Sequence, residues 1–198
     1  MNSPDIAINI AILLAAYLLG SIPTAVIVCR CMHISDPRQK GSGNPGATNV
    51  LRVGNKAAAV FTLTGDMFKG LTAIWLAQHL LTAGQITSLW MALAVLAVLA
   101  GHIWSVFLNF SGGKGVATTV GACLALDWHL GLAQVLCWLA LIGLLKISAL
   151  AALGMALLTP VFAWILAPQW LLLSLLISCI LFASHHRNIS QLLKKNNV

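Results

Sequence analysis

Long apolar stretches without charged residues recur along the whole chain, and they restrict the possible folds more than any other feature of the sequence. The clearest are residues 6–28, 86–108 and 147–167. Each is close to the roughly 20 apolar residues that an α-helix needs to cross a bilayer. Only 8% of the 198 residues are charged, whereas a soluble domain carries roughly 25%. The sequence therefore excludes an ordinary soluble domain and predicts a single membrane-embedded domain over residues 1–198.

Four weaker stretches complete the set of predicted helices. Residues 57–81 contain Asp66 and Lys69, and residues 130–145 and 169–184 are close to the lower length limit for a span. Residues 115–126 are shorter still, and at about 1.5 Å per residue they cannot cross a hydrocarbon core roughly 30 Å thick. This segment therefore either thins the bilayer locally or re-enters on the same side.

The positions of the basic residues decide between these two possibilities. Lysine and arginine collect in the cytosolic segments next to membrane helices. With seven crossings and an external N-terminus, ten of the eleven basic residues lie on the cytosolic side, and the eleventh, Lys69, lies within the membrane. A re-entrant segment at 115–126 would instead place Lys146 outside. We therefore predict an all-α integral membrane protein with seven transmembrane helices, the N-terminus outside and the C-terminus in the cytosol.

Two ionisable residues inside the second predicted span need an explanation. Asp66 and Lys69 are three residues apart, so on a helix they can neutralise one another, and an unpaired charge at that depth is costly. A structural pair is the preferred interpretation, and a functional role stays open because intramembrane ionisable residues are often functional. His102 is expected to be an amphipathic interfacial residue without a specific role.

Two glycine-rich segments lie on the predicted cytosolic side. Residues 36–52 contain three glycines together with Ser42, Thr48 and Asn49, and residues 110–119 place Lys114 among glycines at the start of a short helix. Glycines let backbone N–H groups approach an anion, and a helix start adds positive potential. Both segments therefore favour phosphate binding, with a solvated linker and a positive-inside anchor as the alternative interpretations. The second segment does not match a nucleotide-binding Walker A loop, because Leu108 stands where that loop requires glycine.

A third polar group follows the last predicted span. His185 and Asn188 share a face if the helix continues, and a histidine can accept or donate a proton near neutral pH. Only Asp36 among the acids lies in a predicted cytosolic loop, so the paired carboxylates that hold Mg²⁺ in phosphoryl transfer are missing. The polar residues therefore suit a phosphorylated substrate with an apolar portion, handled without a metal.

Several short motifs extend from the first predicted span to the tail. They are GSIPT at 20–24, DxR at 36–38, GSGNPGATNVLR at 41–52, GDxxKG at 65–70, GH at 101–102, GGKGVAT at 112–118, HxxNI at 185–189 and LLK at 192–194. Each motif alone is weak, but the combination is specific. It resembles the bacterial acyl-phosphate:glycerol-3-phosphate acyltransferases of the PlsY type, which have a similar size and seven helices.

The resemblance implies an activity and a location. The implied reaction transfers a fatty acyl group from acyl phosphate to the 1-hydroxyl of sn-glycerol 3-phosphate, giving lysophosphatidic acid and phosphate, as the first step of phospholipid synthesis. The implied site faces the cytosol from the bacterial inner membrane and uses no cofactor and no metal. The implied partners are the two substrates, membrane lipids and, functionally, an enzyme that produces acyl phosphate, with no nucleic acid.

The resemblance also implies roles for individual residues. The polar centre would consist of Ser42, Arg52, Lys114, His185 and Asn188. Phosphate binding would involve Gly43, Asn44, Thr48, Asn49, Gly112, Gly113, Gly115 and Ser148. The chain departs from the family at Ser111 and Ser184, where the family often has basic residues, and in the tail, where Lys195 and two asparagines replace a usual acid.

A mechanism follows from these roles. Arg52 and Lys114 would neutralise two phosphates so that both reactants can approach, and Ser42 and Asn188 could stabilise negative charge on the carbonyl oxygen. Either His185 or the phosphate of the substrate could take the hydroxyl proton, and the sequence leaves both open. A membrane carrier for an organic phosphate is the alternative function, and a purely structural membrane subunit would leave the glycine-rich loops unexplained.

Overall fold

The structure, a computed structural model, describes residues 3–81 and 88–195. Within these ranges the chain forms α-helices, short 3₁₀ turns and no strand, so the predicted all-α class is confirmed. The chain divides into two compact units, Met1–Leu126 and Asp127–Val198. The helices of the first are α1 (Ser3–Ser21), α2 (Thr24–Cys31), α3 (Ala47–Arg52), α4 (Lys56–Leu80), α5 (Ser88–Ile103) and α6 (Val116–Leu126), and those of the second are α7 (Trp128–Leu145), α8 (Ser148–Leu166), α9 (Leu171–Ser184) and α10 (His186–Lys195).

Helices occur in all seven predicted stretches, although residues 86–87 lie outside the described residues. Three described segments are long and apolar enough to cross a membrane: Ser88–Leu108, Trp128–Leu145 and Ser148–Leu166. The number rises to five if two bent pairs, α1 with α2 and α9 with α10, each form one span. The charged helix α4 and the short helix α6 are not among them. Seven crossings and their orientation therefore stay predictions.

A proline interrupts the first predicted span, for which the sequence predicted one continuous helix. Pro23 has no N–H to donate, and the chain bends by 43° between α1 and α2. Two carbonyl groups at the break receive side-chain donors instead. The Ser105 hydroxyl donates to the carbonyl of Ser21 at 2.6 Å, and Lys69 Nζ donates to that of Ile22 at 2.9 Å. These bonds satisfy backbone groups that a lipid environment would leave bare.

Glycines allow close packing between two pairs of helices in the first unit. A side chain at Gly20 of α1 would collide with the backbone of Val98 in α5, and one at Gly101 would collide with α1. In the same way, Gly70 of α4 and Gly121 of α6 each lie against the backbone of the other helix. Small residues drive helix association in membranes because they let backbones approach closely. Because α6 begins directly after the second glycine-rich segment, its close packing against α4 fixes the position of the helix that follows that segment.

The second unit contains its own compensated proline. Pro160 lies inside α8 and cannot donate to the carbonyl of Ala156, but the Ser178 hydroxyl of α9 donates to that carbonyl. Outward-facing side chains in both units are strongly apolar, including Phe68, Leu144 and Leu172, which are 67%, 78% and 71% exposed. Buried polar groups with partners and an apolar exterior are the pattern expected of an integral membrane protein.

Candidate functional site

The first glycine-rich loop, residues 36–46, is shaped by one buried side chain. Asn49 of α3 is 2% exposed, and its Nδ2 donates to the carbonyls of Pro37 at 2.6 Å and Lys40 at 3.0 Å. Its Oδ1 accepts the backbone N–H of Ser42 at 2.8 Å. Asn49 thus uses both of its amide hydrogens to hold the loop, and its predicted contact with phosphate stays a prediction.

The loop adopts left-handed backbone where it turns toward solvent. Gly41 and Gly43 have φ of 63° and 71°, and a side chain at Gly41 would collide with Asn49 Oδ1. Only glycine combines this backbone with such a close approach. As a result Ser42 and Gly43 are exposed on the loop, Thr48 is exposed at the start of α3 and Asn44 is half-buried.

Two charged residues stabilise the beginning of the same loop. Asp36 accepts hydrogen bonds from Nε and Nη2 of Arg38, the shortest at 2.6 Å, and also from the Arg38 backbone N–H. These hydrogen bonds lower the pKa of Asp36 and raise that of Arg38. The DxR motif is therefore a local ion pair, and the exposed Arg52 lies at the other end of the segment, in the last turn of α3.

The second glycine-rich loop, residues 109–115, folds back on the end of α5. The N–H of Gly112 donates to the carbonyl of Ile103 at 2.9 Å, and that of Gly113 to the carbonyl of His102 at 3.0 Å. Gly115 has φ of 87° and lies against Leu99. Because these bonds use the amide hydrogens of Gly112 and Gly113, the predicted role of both glycines in phosphate binding stays a prediction.

Lys114 projects from this loop as a half-buried cation. Burial lowers its pKa, and the positive charge of Arg52 lowers it further. The loops at 36–52 and 109–115 therefore bring two of the predicted site cations within electrostatic range of each other. Two like charges in one partly desolvated region form a natural binding site for an anion.

A buried polar network lies behind the second loop. Asp66 and Lys69 form the expected pair, with Lys69 Nζ 2.9 Å from Asp66 Oδ1. The expectation that His102 is an interfacial residue without a specific role was wrong, because it is buried and its Nδ1 shares a 3.0 Å hydrogen bond with Thr118 Oγ1. The same Nδ1 lies 3.6 Å from Asp66 Oδ1. His102 lies on α5 and Thr118 on α6, so no local spacing in the sequence joined them to the Asp66–Lys69 pair on α4.

In the second unit, His185 lies at the end of α9 and is 2% exposed. Its Nδ1 is 2.8 Å from the carbonyl oxygen of Leu181 and 3.2 Å from the Ser184 hydroxyl. A carbonyl oxygen can only accept, so Nδ1 carries the proton, and in the neutral imidazole Nε2 is the acceptor nitrogen. The ring is therefore in the tautomer that can take up a proton at Nε2.

The helix does not continue straight beyond His185. The chain bends by 60° between α9 and α10, so the condition under which His185 and Asn188 would share a helix face is not met. Asn188 is half-buried in the first turn of α10, and the carbonyl of His185 accepts the N–H of Ile189 at 3.0 Å. Ser148 is the first residue of α8, after Lys146 with its left-handed φ of 54°. The roles of Asn188 and Ser148, and the convergence of His185 with Arg52 and Lys114, stay predictions.

Within residues 3–81 and 88–195 no three His, Cys, Asp or Glu side chains are grouped as metal ligands. The carboxylates of Asp36 and Asp66 contact basic side chains, and Asp127 caps the start of α7. The expectation that no metal or cofactor takes part stays a prediction.

Comparison with known proteins matches the chain to one family over almost its whole length. The profile described as glycerol-3-phosphate acyltransferase matches residues 10–195. Proteins of that name from Citrobacter koseri and Salmonella newport are each 43% identical over 189 residues, covering 96% of this chain and 90% and 91% of theirs. Crystal structures of PlsY, an integral membrane glycerol 3-phosphate acyltransferase, are also similar.

The glycerol 3-phosphate form of PlsY has a TM-score of 0.85 at 30% identity, and the lysophosphatidic acid form has 0.83 at 29%. Each comparison covers 94% of this chain and 92% of the PlsY chain. This similarity agrees with the motif resemblance and with the all-helical membrane fold.

Proposed function

Because the chain belongs to the glycerol-3-phosphate acyltransferase family, we propose that it transfers a fatty acyl group from acyl phosphate to the 1-hydroxyl of sn-glycerol 3-phosphate. The products are lysophosphatidic acid and inorganic phosphate, and the reaction begins phospholipid synthesis. The acceptor and the product are supported by the two forms in which PlsY was crystallised. The acyl phosphate donor is supported by the motif combination.

One observation carries the proposal: Arg52 at the end of α3 lies close enough to Lys114 in the second glycine-rich loop for its charge to lower the pKa of Lys114. Both reactants carry phosphate, and two phosphate dianions repel each other as they approach. A guanidinium and an ammonium near each other offset that repulsion, and the guanidinium can bind one phosphate through two hydrogen bonds. Holding the reactants together supplies much of the rate enhancement.

The proposed reaction needs no covalent acyl-enzyme, because phosphate is already a good leaving group. The oxygen of the 1-hydroxyl attacks the acyl carbonyl carbon, and an ester bond forms as the bond from that carbon to the phosphate oxygen breaks. Phosphate leaves with the electron pair of the broken bond. The exposed Ser42 and the half-buried Asn188 are candidates to donate to the carbonyl oxygen as it gains negative charge.

The proton of the attacking hydroxyl needs an acceptor. His185 is suited to this role because its Nδ1 is held by the carbonyl of Leu181, which leaves Nε2 as the basic nitrogen. The phosphate of glycerol 3-phosphate is the other candidate, and substitutions of His185 by alanine and by asparagine distinguish the two. We propose that the reaction takes place at the cytosolic face of the bacterial inner membrane, as the distribution of basic residues favours.

The test is an assay of purified protein in detergent, with acyl phosphate, acyl-CoA and acyl carrier protein thioester offered separately as donors with glycerol 3-phosphate. We expect lysophosphatidic acid and phosphate to appear in equal amounts from acyl phosphate alone. Product formed only from a thioester donor would overturn the proposed donor.

A matched pair of charge variants makes the assay specific to the site. Arg52→Ala should abolish most of the activity, whereas Lys56→Ala removes an exposed cation at the start of α4 and should leave it unchanged. Uptake of glycerol 3-phosphate into sealed vesicles without acyl transfer would instead support the carrier.

A further inference from the structure

His102 holds the second glycine-rich loop from the N-terminal side of Lys114. Its carbonyl oxygen accepts the N–H of Gly113 at 3.0 Å. Its ring also lies directly against Gly113, where a side chain would collide with Nε2. The residue that precedes Lys114 is therefore fixed by both the backbone and the ring of one buried histidine.

The same imidazole contacts the segment on the C-terminal side of Lys114. Thr118, in the first turn of α6, is fully buried, and its hydroxyl shares a 3.0 Å hydrogen bond with His102 Nδ1. His102 thus contacts the chain immediately before Lys114 and one helical turn after it. The short segment that carries Lys114 is held at both ends by one side chain.

The ring itself is tied to the rest of the first unit. Asp66 Oδ1 lies 3.6 Å from His102 Nδ1 and 2.9 Å from Lys69 Nζ, and Lys69 donates to the carbonyl of Ile22 at the break between α1 and α2. All three side chains are buried. A buried network with charged members is costly to rearrange, so it gives His102 a fixed position.

Lys114 needs such a support. It sits in a glycine-rich loop, where the backbone has many accessible conformations, and it faces the repulsion of a second cation, Arg52. A change in the conformation of this loop would therefore move the ammonium. The contacts of His102 oppose that movement before any substrate arrives.

We propose that His102 and Thr118 are positioning residues that hold the segment carrying Lys114 in place for binding phosphate. This inference rests on the proposed function, because it assigns the second loop a phosphate of that reaction. The network adds no group that touches substrate. It affects the reaction only by fixing the position of the Lys114 ammonium.

Two neighbouring threonines on α6 provide the test. Thr118→Val removes the hydroxyl at nearly constant volume, and Thr118→Ser retains it. Thr119→Val is the matched control, because Thr119 is also fully buried but its hydroxyl has no hydrogen-bond partner among the described residues. We expect Thr118→Val to lower kcat/KM about tenfold, while Thr118→Ser and Thr119→Val stay within about twofold of wild type. Equal losses in Thr118→Val and Thr119→Val, or none in either, would overturn the proposal.

Repeating the substitution in a Lys114→Ala variant separates an effect on the position of Lys114 from a general loss of stability. Binding of glycerol 3-phosphate and of inorganic phosphate is measured by calorimetry with and without Lys114→Ala. In the otherwise wild-type protein, Thr118→Val should weaken binding of at least one of them. In the Lys114→Ala background it should change either Kd by less than about twofold, because no ammonium remains to be misplaced. The same weakening in both backgrounds would show that Thr118 does not act through Lys114.

If Thr118→Val fails to fold, Gly113→Ala approaches the same contact from the loop. Its added methyl group pushes against the His102 ring without removing a buried polar group. It should weaken phosphate binding only when Lys114 is present, and wild-type affinity would refute the proposal. Failure of the proposed function is distinguishable, because wild-type protein would then release no phosphate from acyl phosphate, whatever the variants show.

Discussion

The two units hold their candidate site residues in different ways. In the first unit, buried side chains that carry no proposed catalytic role shape the loops. Asn49 donates hydrogen bonds to the loop at 36–46, and the His102 ring packs against Gly113 in the loop that carries Lys114. In the second unit, His185 is held by a hydrogen bond of its own ring to Leu181. In the proposed mechanism, different residues of the first unit shape the loops and bind the substrate, whereas in the second unit His185 both holds its own ring and takes part in the chemistry.

This difference has an experimental consequence. A loop-holding residue of the first unit can be changed while the functional cation stays in the sequence, so position and charge can be tested separately. At His185 only a substitution that keeps the Nδ1 hydrogen bond can separate them.

The largest effect is expected from removing a cation of the first unit. Arg52→Ala should lower kcat/KM by roughly 100-fold to 1000-fold, the range found when one charge-stabilising donor is lost from an active site. Steady-state kinetics with acyl phosphate and glycerol 3-phosphate measure it. The Lys56→Ala control should match wild type. An unchanged kcat/KM in Arg52→Ala would remove Arg52 from the site.

Replacing His185 should lower turnover about tenfold to 1000-fold. This range overlaps the usual contribution of a general base and extends somewhat below it. His185→Ala removes both the support and the base. His185→Asn places an amide near the position of Nδ1, where it can still donate to the Leu181 carbonyl, but it has no basic nitrogen.

If His185 is the base, both variants should lose kcat while the thermal unfolding temperature of His185→Asn stays near wild type. If the substrate phosphate takes the proton, His185→Asn should keep nearly normal turnover and only His185→Ala should fail. The comparison of the two variants thus decides the identity of the base.

Loosening the first loop should have a smaller effect. Asn49→Ala removes three hydrogen bonds to the loop, and we expect kcat/KM to fall about tenfold because Ser42 is no longer held in place. The control is Asn55→Ala, which removes the side-chain cap of α4 at a stability cost of about 1 kcal/mol. Equal activity losses in the two variants would show that Asn49 acts only through stability.

The smallest effect at neutral pH is expected from Lys114→Arg, which keeps the positive charge. Phosphate binds the protonated ammonium, so activity falls as pH rises through the pKa of Lys114. Burial and the charge of Arg52 lower that pKa. The fall in activity should therefore begin at lower pH than for an ordinary lysine, whose pKa is about 10.4. Because arginine stays protonated, Lys114→Arg should extend activity to higher pH. If Lys114→Arg loses activity at high pH in the same way as wild type, deprotonation of Lys114 is not the cause of that loss.

The sequence predicted the helical membrane class and the helical stretches because burial in lipid depends on the local run of apolar residues. It did not predict the bend at Pro23 as a break between two helices, or the 60° bend at His185. Those bends depend on whether other helices satisfy or redirect the freed backbone groups. Ser105 and Lys69 are more than 40 residues from the carbonyls they satisfy.

For the site, the sequence alone determined which residue types are available: glycine-rich turns, a few basic side chains, a histidine after the last apolar stretch and almost no acids. These features can be read from local composition because each of them is formed by residues that are neighbours in the chain. The tertiary structure decided that the charge of Arg52 lowers the pKa of Lys114. It also decided that Asn49 holds the loop at 36–46 and that His102 holds the loop at 109–115. These contacts join residues from separate helices and loops, and their geometry exists only once the glycine-mediated crossings have fixed how the helices pack.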